Sequence, residues 1–164
     1  MACTNQTLAN ITRPCSNVGG IFTEVYVALR ENLDTVTFVE QGEPKNTISS
    51  ITLKNSAKWN KFEFGKNSSS FTSTAQYDGT TGAYAYTQND LALSFNRMEA
   101  SKRLSFMGLL QNEIIVVFRD SNGLNYLLGY DEYVSSSAFT FTTGTVKTDS
   151  NVVNVTLTDT SAEL

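Results

Sequence analysis

The chain is predicted to be mainly β: a β-sandwich or barrel with one flanking helix, about 96–110, and an extended hairpin, about 71–95. Three observations carry that expectation. Only 17% of residues are charged, while Ser, Thr and Asn are abundant, which favours short polar β-branched strands over solvated helices. Apolar residues recur with period two between Gly, Asn and Asp turn signals along most of the chain. A helical period occurs once. The 164 residues fit one domain, and 40% hydrophobic and 11% aromatic content exclude an intrinsically disordered chain.

Residues 1–20 read as an irregular leader containing Pro14 and Gly19-Gly20, followed by a single domain over 21–164. From Ile21 to Arg30, Val25, Val27 and Leu29 point to one face and Phe22, Tyr26 and Ala28 to the other, which predicts a strand covered on both sides. Thr35–Glu40, stopped by Gly42 and Pro44, is a second strand, and Ile48–Lys54 and Lys58–Phe64 are further ones. In the last of these Trp59 is out of phase with Phe62 and Phe64, which predicts a bulge.

Phe71–Tyr77 and Ala83–Phe95 flank Asp78-Gly79-Thr80-Thr81-Gly82, a hairpin signal. Their Phe71, Tyr77, Tyr84 and Tyr86 stand among Ser, Thr and Gly, so the arms are expected to reach away from the core and contact an adjacent subunit. The expected interface residues are Phe71, Tyr77, Asp78, Gly79, Tyr84 and Tyr86. Asn96 with Glu99 three residues on predicts a capping-box start to the helix, whose buried stripe would be Ala100, Leu104, Met107 and Leu110, widened by Phe106. Ile114–Phe118, the most apolar run, is expected to be a central strand turned by Asp120-Ser121-Asn122-Gly123 into Tyr126–Tyr130. Phe139–Thr148 and Val152–Thr158 pair around Asp149-Ser150-Asn151, with Val153, Val155 and Leu157 alternating inward.

The absence of His removes Ser-His-Asp and Cys-His chemistry and His-ligated metals, and two Cys cannot make a Cys₄ zinc site. No Gly-rich phosphate loop is present, and Asp120-Ser121-Asn122-Gly123 lacks the other acidic ligands of a calcium loop. No catalytic residue, metal or cofactor is therefore expected. Asp131-Glu132 is the only adjacent acidic pair, and a turn accounts for it. Without a secretory signal, Cys3 and Cys15 are expected to be reduced, and the sequons at Asn5, Asn10, Asn67 and Asn154 reflect composition. There is no apolar run long enough to span a membrane.

A net charge of −4 disfavours a nucleic-acid neutraliser, and the charges are segregated. Lys45, Lys54, Lys58, Lys61 and Lys66 share a stretch with Glu63 as its only acid. Beyond Leu104, seven acids (Glu113, Asp120, Asp131, Glu132, Asp149, Asp159 and Glu163) face only Arg119 and Lys147. One basic and one acidic portion suit head-to-tail association.

The stretch from LALSFNRMEASKR to the C-terminal acidic residues resembles the C-terminal half of small tail-tube-like or head–tail ring virion proteins of Bacteroidetes phages, the crAss-like phages among them. The matching residues are Asn96, Met98, Glu99, Lys102 and Arg103; Asn122 and Gly123; Tyr126 to Gly129; Thr142 to Thr145; and Thr156 to Thr158. Cys3, Asn5 and Gly19-Gly20-Ile21 echo the opening of such proteins, while 35–82 has no counterpart. The resemblance implies a tail-tube-like, non-enzymatic ring subunit of a virion tail or head–tail connector, assembled in the bacterial host cytoplasm. Its partners would be identical copies in a 6- or 12-fold ring, stacked tail or connector proteins, and genomic DNA passing non-specifically through the lumen. The rival readings are a carbohydrate-binding or adhesin-like sandwich using Trp59, Tyr77, Tyr84 and Tyr86, a capsid-decorating protein, and a small hydrolase using carboxylates.

Overall fold

The structure, a computed structural model, describes residues 13–39 and 47–161. Cys3, Asn5, Asn10, Glu40, Gly42, Pro44, Lys45 and Glu163 lie outside them. The ten strands are β1 (Ile21–Leu29), β2 (Leu33–Phe38), β3 (Ile48–Leu53), β4 (Asn60–Glu63), β5 (Ser70–Tyr77), β6 (Tyr84–Asn96), β7 (Ile114–Asp120), β8 (Asn125–Leu128), β9 (Ser135–Thr142) and β10 (Val152–Ser161), with helix α1 (Ala100–Gln111) between β6 and β7. They form a first sheet in the order β4-β1-β7-β8, a second in the order β5-β6-β10-β9, and a two-stranded ladder of β2 and β3, all antiparallel. This is a sandwich with one helix at its flank; it is not a closed barrel.

One core joins the two sheets. Val25 and Val27 of β1 and Ile114, Val116 and Phe118 of β7 meet Leu91, Leu93 and Phe95 of β6 and Val153, Val155 and Leu157 of β10. The alternation expected for β10 is borne out, and β7 is an interior strand of its sheet as expected. Aromatic contacts stitch the layers together: Phe71 lies 4.8 Å from Phe118, and Phe95 lies 6.1 Å from both Phe62 and Phe64. Contacts of this kind add about 0.5–1.5 kcal/mol each beyond area burial.

Several local expectations are corrected. Strand β1 is covered on one side for most of its length, because Phe22 and Tyr26 face solvent and only Ala28 is buried on the second face. Trp59 precedes β4 instead of lying within it, and the β1–β4 register runs from Glu24–Glu63 to Val27–Asn60 without a bulge. The arms of the β5–β6 hairpin do not leave the core. Strand β6 pairs with β10 over ten residues, Asn96–Val152 to Thr87–Ser161, and contributes Leu91, Leu93 and Phe95 to the interior.

The helix starts later than its sequence implies. Asn96 ends β6, the Arg97 amide donates to the Asn151 carbonyl, and Arg97 has a positive φ of 57°, so the strand ladder consumes the residues that a capping box would need. Glu99 is the N-cap and makes no side-chain cap; its carboxylate meets Arg97 and Lys102 instead. The buried residues are Phe106 and Leu109. Leu104 is 75% exposed, and Met107 and Leu110 also face solvent. The helix is apolar on two sides, and Phe106 wins because its ring enters the space between Phe95 (5.2 Å) and Phe139 (6.0 Å).

Candidate functional site

Three features of the second sheet and its open end stand out. The first is the tip of the β5–β6 hairpin. The Asp78 amide donates to the Ala83 carbonyl, and Asp78 Oδ1 accepts from the Thr80 and Thr81 amides, both at 2.7 Å. Those amide donors hold the Asp78 carboxyl below its ordinary value. The left-handed residue that closes the turn is Gly82, at φ +67°, and Gly79 has no such conformation. The Asp-Gly pair therefore starts a six-residue connection and is not itself the turn. Tyr77 and Tyr84 meet edge to face at 6.3 Å, and Tyr77, Tyr84 and Tyr86 are all exposed. Of the six residues expected at an interface, these three with Asp78 and Gly79 share the tip. Phe71 does not: partly buried, it packs on Phe118 and Tyr126 against the core. Trp59 precedes β4, at the edge of the opposite sheet, so the structure does not assemble the four aromatics into one platform.

The second feature is the pair of edges and the outer face of this sheet. Edge strands β5 (SFTSTAQY) and β9 (SSSAFTFT) are each eight residues long and contain no charged residue and no Pro. By the pairing register, Thr72, Thr74, Gln88, Asp90, Ala92 and Ser94 share the outer face with Asn154, Thr156, Thr158 and Thr140. That surface is small and polar, with one carboxylate and no Lys or Arg. Asp90 is fastened within it, accepting from Thr158 Oγ1 at 2.6 Å and Gln88 Nε2 at 2.9 Å.

The third is a cleft of about 1100 Å³ at the end of the sandwich where its interior turns polar. Tyr86, Tyr126, Tyr130 and Phe38 line it together with Asp131, Glu132 and Asp159. Phe38 and Tyr130 meet edge to face at 5.2 Å, which ties the β2–β3 ladder to its wall. Asp159 is only 5% exposed; Asn89 donates to its Oδ2 at 3.4 Å, and its Oδ1 has no hydrogen-bond partner. Burial pushes its carboxyl above the ordinary value, and the charges of Asp131 and Glu132 push the same way. The Asn89 hydrogen bond and the nearby Gly129 amide oppose them. Glu132 accepts from the Thr160 hydroxyl at 2.9 Å. No group of three His, Cys, Asp or Glu among the described residues has a metal-holding arrangement.

Asp159 was not singled out from the sequence, although its signal was present. It continues the inward series Val153, Val155, Leu157, just as Asn89 and Thr87 continue Phe95, Leu93, Leu91 on the paired strand. Cys15 is exposed, and no helix among the described residues is long and apolar enough to cross a membrane.

No protein family, curated protein or solved structure matches this chain.

Proposed function

We propose that this chain is a structural subunit of a phage virion, closing with identical copies into a ring in the tail or head–tail connector through which DNA passes. The observation that carries the reading is the second sheet. Isolated edge strands present unpaired amides and carbonyls, and natural proteins blunt them with charge, Pro or shortness. Strands β5 and β9, on either side of one sheet, have none of these three, and each edge ladder has one register irregularity, at Gln76/Tyr77 and at Thr156/Leu157. Pairing β5 of one copy with β9 of the next satisfies both edges, and repeating that heterologous contact closes a ring by rotation.

The outer face of the same sheet suits a lumen. Small hydroxyls and amides with Asp90 as the sole charge offer a polyanion nothing to hold, and the acid repels it. Exposed tyrosines at the hairpin tip supply aromatic contact area for a stacked ring or neighbour. No catalytic residue is assigned.

Sedimentation of the purified protein tests this. A closed ring is expected, in place of an 18.0 kDa monomer. Thr72→Lys with Thr74→Lys on the β5 edge should leave a folded monomer. Ala92→Lys with Thr156→Lys, on central strands, should leave the ring intact but make it retain DNA at low salt. A wild-type monomer that retains glycans would favour the adhesin-like reading instead.

A further inference from the structure

The described lining of the polar cleft holds three carboxyl groups and no Lys or Arg. Asp131 and Glu132 stand exposed at its lip, and Asp159 lies behind them, nine-tenths buried with an unpartnered oxygen. None of the three forms an ion pair among the described residues. Arg30 donates to the Tyr130 carbonyl at 2.8 Å and forms no salt bridge with a carboxylate among the described residues. A neutral ligand would leave this charge uncompensated, whereas an ammonium or guanidinium would neutralise it.

Among the described lysines, Lys54 is out of reach of the cleft. Ile48 at the start of β3 lines the cleft, and Lys54 follows the other end of that strand. Six residues at about 3.3 Å each separate them by roughly 20 Å, far more than a lysine side chain spans. Lys54 is held by the Glu31 carbonyl, and Lys61 is paired with Glu63 and Glu24, but Lys58 is exposed with no acidic partner among the described residues. Acceptor and donor thus sit on different parts of one molecule, which is the arrangement a head-to-tail contact requires.

We infer that the cleft receives the Lys58–Trp59 region, with Lys54 beside it, from a second copy of this chain. Lysine stems lie along Tyr86 and Tyr130, their ammonium groups meet Asp131 and Glu132, and Trp59 supplies an aromatic anchor. Tyr86 belongs to both the hairpin tip and the cleft wall, so the contact adjoins the tyrosines that the ring reading gives to a neighbour. The inference rests on the ring reading and names its second contact.

Charge reversal with complementation tests it. Asp131→Lys with Glu132→Lys makes the cleft basic, and Lys54→Glu with Lys58→Glu makes the segment acidic; all four positions are exposed, and circular dichroism checks folding. Each variant alone should sediment as monomer, and an equal mixture should regain the wild-type assembly. Asp131→Asn with Glu132→Gln should raise the concentration needed for assembly about tenfold, with reduced salt dependence. If wild type assembles and both reversed variants assemble equally well, the inference is overturned while the ring reading stands. If wild type is monomeric at every concentration, both fall. An oligosaccharide that binds wild type, is lost on Tyr130→Ala and leaves assembly unchanged would assign the cleft to a sugar and also overturn the inference.

Discussion

The two sheets share one core but differ at every other boundary. In the first, the edges are β4 and β8, four residues each, and β4 carries Lys61 and Glu63. Its outer face bears Tyr26 and Phe22, the latter with the Arg119 guanidinium over its ring at 5.1 Å. The second sheet has eight-residue uncharged edges and a small polar outer face. The first ends in short edges and the second in long uncharged ones. Core composition cannot reveal that difference, because both inner faces are alternating aliphatic and aromatic residues. The edges and outer faces reveal it.

The largest expected effect tests whether the core is in fact shared. Phe118, stacked on Tyr126 at 5.1 Å and against Phe71, belongs to the first sheet; Leu91 belongs to the second. Phe118→Ala should cost about 3–5 kcal/mol and Leu91→Ala about 2–5 kcal/mol. Each should shift a single urea transition, read by fluorescence and circular dichroism alike. A variant in which one probe moves and the other does not would split the sandwich into two independently stable layers.

A second test concerns the polar end of the second sheet's inner face. Asp159 has its carboxyl raised in the folded state, so folding favours its neutral form. Below the unfolded value of 3.8 both states are protonated and no penalty exists. As pH rises through the raised folded value, ionisation is resisted and stability is lost. Asp159→Asn, which keeps an acceptor for Asn89, should therefore be more stable than wild type at neutral pH, and the two should converge below about pH 4. Equal melting temperatures at pH 7 would contradict the account of this end of the core.

The smallest effect separates the two sides of α1, which packs against Phe95 and Phe139 of the second sheet. Phe106 is 3% exposed and Leu104 is 75% exposed. Leu104→Ala should change stability by no more than about 0.5 kcal/mol, whereas Phe106→Ala should resemble the core substitutions. A large loss at Leu104 in the assembled protein, but not in the monomer, would show that this exposed side of the helix meets a neighbour.

Much of the fold was legible from period and punctuation. Val153, Val155 and Leu157 alternate because a pleated strand with one buried face admits nothing else, and IIVVF is central because a run that apolar cannot sit at an edge. The Asp120–Gly123 turn follows from local chemistry: the Asp120 side chain accepts from the Leu124 amide, and Gly123 adopts φ +94°. These are interactions within a few residues, so the local sequence determines them.

What the sequence left open depended on which partner arrived. Both sides of α1 are apolar, and only the position of Phe95 and Phe139 decided that Phe106 enters the core. Asn96 carries a cap signal, yet pairing with Val152 claimed it for β6. The arms of the hairpin look too polar to be buried until β10 lies beside β6 and turns Leu91, Leu93 and Phe95 into one wall of the sandwich. Asp159 reads as a tail acid until the same ladder carries it inward to an interior end with no partner for its second oxygen. Local sequence determined strands, turns and the alternation of faces, because those follow from backbone geometry and neighbouring side chains. Only the tertiary structure decided which faces met and which edges stayed open, because strand pairing joins residues far apart in the chain and decides each one's burial by its partner.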